Sequence, residues 1–280
     1  MPKQMRSGKD AHAENQQPQR RFVSKAPLQS PTPMAQLGCQ KKVESLVAKG
    51  RKPKDIAEYV YYVSESGKCN DSAFYMAALD FTLSRKDFDS AEDICQSAVV
   101  AHVNDDNLYL SAIDTMMSPV SFAAGGVSNE AIKYASAENA CRILGSIALH
   151  NLTQGSDKKI DASRAFVLAV DRVWEYGIND ARRSEDRKDR IMEIYANALD
   201  SEIDQSMGYD LFDRVYRLIL ENKGASKERK ANQAFEVTAK TIRSKVSHTI
   251  LFTKAMEFLE SNGAKNQCRT LRNLLVVHKK

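Results

Sequence analysis

The sequence predicts an all-α protein, a right-handed α-solenoid of antiparallel helical hairpins, and three observations carry that expectation. Helix breakers are scarce: the 280 residues hold 12 Gly and 7 Pro, and Pro2, Pro18, Pro27, Pro31 and Pro33 all fall before residue 36. Apolar residues then recur at three- and four-residue spacing, with no sustained strand-like alternation. The third observation is an internal repeat. A shift of 34 lays residues 51–80 on residues 85–114 without a gap, and ten of the thirty pairs are identical. They include Arg51/Arg85, Asp55/Asp89, Ala57/Ala91, Asn70/Asn104, Tyr75/Tyr109 and Asp80/Asp114; chance would give roughly two. Such a period suits one helical hairpin, which cannot bury both apolar faces alone and must stack on its neighbours.

Taken in order, residues 1–35 are polar, Gln/Pro-rich and poor in aliphatics, so they are expected to form a disordered basic tail. A helical repeat region is expected over 36–153. Asn70-Asp71-Ser72 and Asn104-Asp105-Asp106 supply N-cap residues ahead of Phe74 and Leu108. Pro119 and the stretch Phe122 to Gly126 mark a loop, and Ser128-Asn129-Glu130 opens a helix running towards His150. A second helical region with a basic C-terminus is expected over 157–280, at a period of about 40. Its helices are predicted at Arg164 to Tyr176, Ser184 to Asp204 (interrupted by Met207-Gly208), Tyr209 to Glu221, Ala225 to Lys245, Ser247 to Glu260 and Lys265 to Lys280. Within it Asp171-Arg172-Val173-Trp174 returns 42 residues later as Asp213-Arg214-Val215-Tyr216, and Leu211-Phe212 returns 40 later as Leu251-Phe252.

Charge is uneven along the chain. Residues 1–38 carry +4, residues 39–220 carry −7 and residues 221–280 carry +8, giving +5 in total. An acidic body thus lies between two basic ends. The five cysteines are scattered with no CxxC pair, which reads as structural thiols in a reducing compartment. The five histidines are far apart in sequence and form no HxxxH or HExxH pair, so neither a metal site nor a cofactor is expected. No nucleophile or phosphate-loop motif appears, so an enzyme is not expected. No run of roughly 18 apolar residues marks a membrane span. The expected location is the cytoplasm, with a mitochondrial one as the alternative on the presequence-like Arg20-Arg21-Phe22.

The stretch Tyr75 to Cys95 resembles a pentatricopeptide repeat. Tyr75, Leu79, Asp80, Asp87, Phe88, Asp89, Ala91, Glu92 and Ile94 match that family in register, as does the preceding Gly67…Asp71…Tyr75 spacing. The related tetratricopeptide pattern fits less closely, since the order of Ala78 and Leu79 is reversed. The resemblance is best over residues 50–115, and it implies repeats that each read one base of single-stranded RNA. By register the readers would be Ala77 with Asp106, and Ser111. Ala77 has no hydrogen-bonding group to offer. Residues 50–115 also carry six Lys/Arg against twelve acids, a poor match to phosphate.

The function expected first is therefore a non-enzymatic scaffold that binds a protein segment on a concave face lined by the first helices of the hairpins. Phe74, Ala77, Phe81, Asp106, Leu108 and Ser111 are the candidate contacts. The alternative is single-stranded RNA binding through the tail and the basic C-terminal third. Arg51, Lys52, Arg85 and Lys86 at the hairpin turns, and Lys265, Arg269, Arg272, Lys279 and Lys280 at the end, are the candidate basic surface.

Overall fold

The computed structural model describes residues 33–118, 128–155, 158–175, 184–222, 224–244 and 249–278. Most of the tail expected over 1–35, the loop at Phe122 to Gly126, and Lys279 and Lys280 lie outside these residues.

The described residues form an all-helical chain without strands. In order the helices are α1 (Pro33–Ala48), α2 (Pro53–Glu65), α3 (Ser72–Ser84), α4 (Phe88–Val100), α5 (Asp106–Met117) and α6 (Ser128–Thr153). There follow α7 (Ser163–Glu175), α8 (Ser184–Asp200), α9 (Gln205–Glu221), α10 (Lys227–Arg243), α11 (Thr249–Ser261) and α12 (Lys265–His278). No helix among the described residues is long and apolar enough to cross a membrane.

Aspartates and serines start many of these helices, as the cap stretches predict. The Asp71 side chain accepts from the Ala73 amide at 3.3 Å, Asp87 from Ser90 at 3.1 Å, Asp105 from Asn107 at 3.0 Å, and Ser226 from Arg229 at 3.2 Å. Each satisfies an amide that the helix itself leaves open, a contribution of about 0.5–2 kcal/mol. Two boundaries differ from the sequence expectation. α8 ends at Asp200, and Met207-Gly208 lies inside α9 instead of interrupting a helix. Asp204 explains the second difference: its carboxylate accepts from the Ser206 amide at 2.9 Å and the Met207 amide at 3.3 Å, which sets the helix start before the glycine. Gly208 is then buried in the first turn.

Each helix packs against the next and against the next but one, α1 on α3, α2 on α4, α3 on α5, and so on to α10 on α12. The odd-numbered helices therefore lie beside one another, as do the even-numbered ones. Helices from both halves of the chain share this packing, since α5 packs on α7 and α6 on α8. One core runs through the contacts. It holds Ile56, Phe74, Leu79, Ile94, Leu108, Ile113, Phe166, Ile194, Phe212 and Leu259 at 0–1 % exposure, each contributing roughly 1.5–3 kcal/mol by burial. Ala57 and Ala91, matched in the repeat, are both buried where a larger side chain would hold the helices apart.

The matched tyrosines make the same bond. Tyr75 donates from its hydroxyl to the Cys69 carbonyl at 3.2 Å, and Tyr109 donates to the Val103 carbonyl at 2.9 Å. Both rings are fully buried, and each ties a helix back to the turn before it. The turns are also linked to one another. The Asp161 amide donates to the Asn104 side chain at 2.8 Å, and the Asp204 amide donates to the Ser163 hydroxyl at 3.2 Å.

Candidate interaction face

One face of the odd-numbered helices is organised by position. Asp80, Asp114, Asp171 and Asp213 fall at matching places on α3, α5, α7 and α9, as their sequence contexts already suggest. Four residues earlier, one helical turn back on the same side, stand Met76, Leu110, Val167 and Tyr209. All four are half-buried. The face thus carries an apolar row beside an acidic row.

The acids are bridged by cations from the neighbouring odd helix. Arg172 of α7 donates to Asp114 of α5 through Nη2 at 2.6 Å and Nε at 3.2 Å. Arg214 of α9 donates to Asp171 of α7. Lys254 of α11 donates to Asp213 of α9 at 3.2 Å. The recurring Asp-Arg pair is therefore a connector: its aspartate receives a cation from the following helix while its arginine reaches back to the preceding one. Arg164 adds a rung at the helix starts, with Nε 3.3 Å from Asp106 Oδ2. Asp80, the first acid of the row, departs from the pattern. At the place where α7 carries Arg172, α5 has the uncharged Thr115, and among the described residues Asp80 has no hydrogen-bond or ion-pair partner. Its carboxyl is pushed above the usual range by desolvation.

The candidate contacts separate on this face. Ala77, Phe81 and Ser111 are half-buried within it. Phe74 and Leu108 are at 0 % exposure in the core, so they hold hairpins together and have no surface for a partner, which corrects the sequence reading of both. Asp106 is held by Arg164, and its Oδ1 is buried without a partner. Burial raises its pKa more than Arg164 lowers it.

The basic candidates among the described residues sit in different settings. Arg51, Lys52, Arg85 and Lys86 are exposed, but the two pairs differ in backbone: Lys52 is extended at φ −74° as the N-cap of α2, whereas Lys86 is left-handed at φ 56°. Arg85 lies over the Phe81 ring at 5.6 Å. In α12, Lys265 and Arg269 are exposed, while Arg272 is paired with Glu260 at 2.5 Å.

Two features escaped the sequence. On the even-numbered helices, Arg142 of α6 grips Glu92 of α4 with bonds of 2.8–3.0 Å, and Asn139 donates to Asp89 at 2.9 Å. Nothing in the spacing marks these as partners, since they are 50 residues apart. The histidines have no HxxxH or HExxH spacing, yet His102 Nδ1 and His150 Nε2 are 3.1 Å apart across the ends of α4 and α6. Burial and nearby Lys158 press both imidazoles towards the neutral form, and for His102 the His150 ring adds to the effect. Against this, the Lys158 carbonyl, 3.1 Å from His150 Nε2, favours protonation of His150. Cys69, Cys95, Cys141 and Cys268 are buried thiols and Cys39 is half-buried, with burial pushing the Cys69 thiol up to about 12.

Compared with protein-family models, curated proteins and solved structures, the chain matches none of them.

Proposed function

We propose that this chain is a non-enzymatic helical-repeat scaffold, a right-handed α-solenoid of the pentatricopeptide/tetratricopeptide-like kind, that binds a protein segment along its odd-numbered helices. The packing of each helix on the next and next but one supports the solenoid, as do the bonds that tie successive turns together. In this reading the period is 34 residues at first and about 40 later, and the odd helices line the concave side.

The observation that carries the ligand class is the pairing of charges on that face. Arg164, Arg172, Arg214 and Lys254 are each engaged by an aspartate. Phosphate would have to compete with those carboxylates, whereas RNA binding draws its affinity largely from cations free to neutralise phosphate. The half-buried row Met76, Leu110, Val167 and Tyr209 instead offers side-chain-sized apolar contacts suited to a polypeptide. A second reading, single-stranded RNA on the C-terminal third, is favoured by the exposed Lys265 and Arg269 and by the +8 charge of residues 221–280. The scaffold reading carries with it a cytoplasmic location and no cofactor.

The test is affinity capture with the full chain, followed by substitution. Phe81→Glu and Ser111→Arg are expected to release a captured protein that Glu193→Gln, on the even-numbered helices, retains. Retention by all three variants contradicts the placement. Single-stranded RNA is titrated in parallel at low salt; binding that falls steeply with salt and weakens in an Arg269→Gln variant would establish the second reading.

A further inference from the structure

The missing cation opposite Asp80 points to what the partner brings. We infer that the bound segment presents a lysine or arginine to Asp80, completing from outside the rung left open among the described residues. This rests on the scaffold reading and gives it a chemical specificity.

Asp114, Asp171 and Asp213 each receive a cation from the following odd helix. Asp80 shares the register of these acids and is identical to Asp114 in the 34-residue match. Thr115 occupies the position from which Arg172, Arg214 and Lys254 reach their aspartates, and a threonine supplies no charge. Asp80 is exposed, so a side chain from another molecule can reach it. Its raised pKa is the direction expected for a carboxylate crowded by neighbouring atoms without a counter-charge.

The surroundings extend the description of the ligand. Met76 and Ala77 lie one turn before Asp80, and Phe81 follows it, all half-buried. Across on α5, Leu110 and Ser111 occupy the places that match Met76 and Ala77. A basic side chain over Asp80 would therefore sit among small and medium apolar contacts. The aliphatic stem of a lysine or arginine packs on such surface while its charged end reaches the carboxylate. The segment that fits is one basic residue flanked by apolar ones, and an acidic segment is disfavoured by the uncompensated Asp80. At a bound interface the lower dielectric strengthens the attraction between the two charges, against the cost of removing their water.

The experiment is selection of a random peptide library displayed on phage against the immobilised full chain. Peptides with a lysine or arginine between apolar residues are expected to be enriched. Synthetic versions should bind Asp80→Asn at least about tenfold more weakly. They should lose affinity in the same way for Thr115→Arg, which supplies the cation from within, and keep it for Glu193→Gln. Unchanged thermal unfolding of the variants shows that the fold is retained. Enriched peptides without a basic residue, or peptides that bind Asp80→Asn and Thr115→Arg as tightly as the parent, overturn the inference while leaving the scaffold reading in place. Absence of any enriched peptide overturns both.

Discussion

Tyr75 and Tyr109 show how one residue type, repeated, can hold a fold in register. Each hydroxyl satisfies a carbonyl in the turn before its helix, at 3.2 and 2.9 Å. Tyr109→Phe keeps the buried ring and removes only the bond, so urea denaturation should show a loss of about 1 kcal/mol. An unchanged midpoint would mean that the Val103 carbonyl finds another donor. The His102–His150 contact predicts a pH dependence. Both imidazoles have folded-state pKa values below the ordinary 6.5, so the unfolded chain binds more protons as the pH falls through that value. Stability is therefore complete above about 6.5 and declines as the pH drops below it, until the folded-state values are reached. Melting temperatures between pH 7.5 and 5.5 should fall more for the parent than for His102→Asn. Asparagine accepts the left-handed backbone of position 102 (φ 57°) while removing one titrating group. Parallel curves for the two proteins would show that the pair does not govern the decline. The tyrosine match was readable from residue identity alone. The histidine contact was not, because it joins residues 48 apart through turns whose geometry only the packed helices determine.

Helices were the most legible elements, because caps and three- and four-residue spacing act locally. Asp71 and Asp105 begin helices as their position before Phe74 and Leu108 implies, whereas Met207-Gly208 reads as a break in sequence although the Asp204 cap starts the helix ahead of it. Which face of a helix meets solvent was harder to see. α3 is apolar on nearly every side, so no polar stripe distinguished Phe74, which is buried, from Phe81, which is half-exposed. Aligning Asp80 with Asp114, Asp171 and Asp213 supplies that distinction. The two kinds of inter-helix ion pair should differ in strength. Arg172 and Asp114 have side chains 25 % and 51 % exposed, so Arg172→Ala should cost under about 1 kcal/mol. Glu92 is only 10 % exposed beneath Arg142, and Arg142→Ala strands a carboxylate whose remaining side-chain donor is Gln96. A loss of about 2–3 kcal/mol follows, reduced from that of a fully buried pair because Arg142 itself is 46 % exposed. Equal losses for the two variants in chemical denaturation would contradict this ranking.

At the scale of the whole molecule, the described residues are all-helical, and each helix packs on the next and on the next but one. The candidate face belongs to no single helix. Its acidic row draws one residue from each of four helices, and its cations come from the helix beyond. The +5 net charge says little about this face, because Arg164, Arg172, Arg214 and Lys254 are engaged by carboxylates and the excess positive charge lies in residues 1–38 and 221–280. The most direct test of a protein-binding face is site-specific photo-crosslinking with the reactive group at Ser111. Irradiated in extract, it is predicted to give a discrete protein adduct that a group at Glu193 does not give, and that survives nuclease treatment. An adduct lost to nuclease, or one formed equally from both positions, would contradict the account.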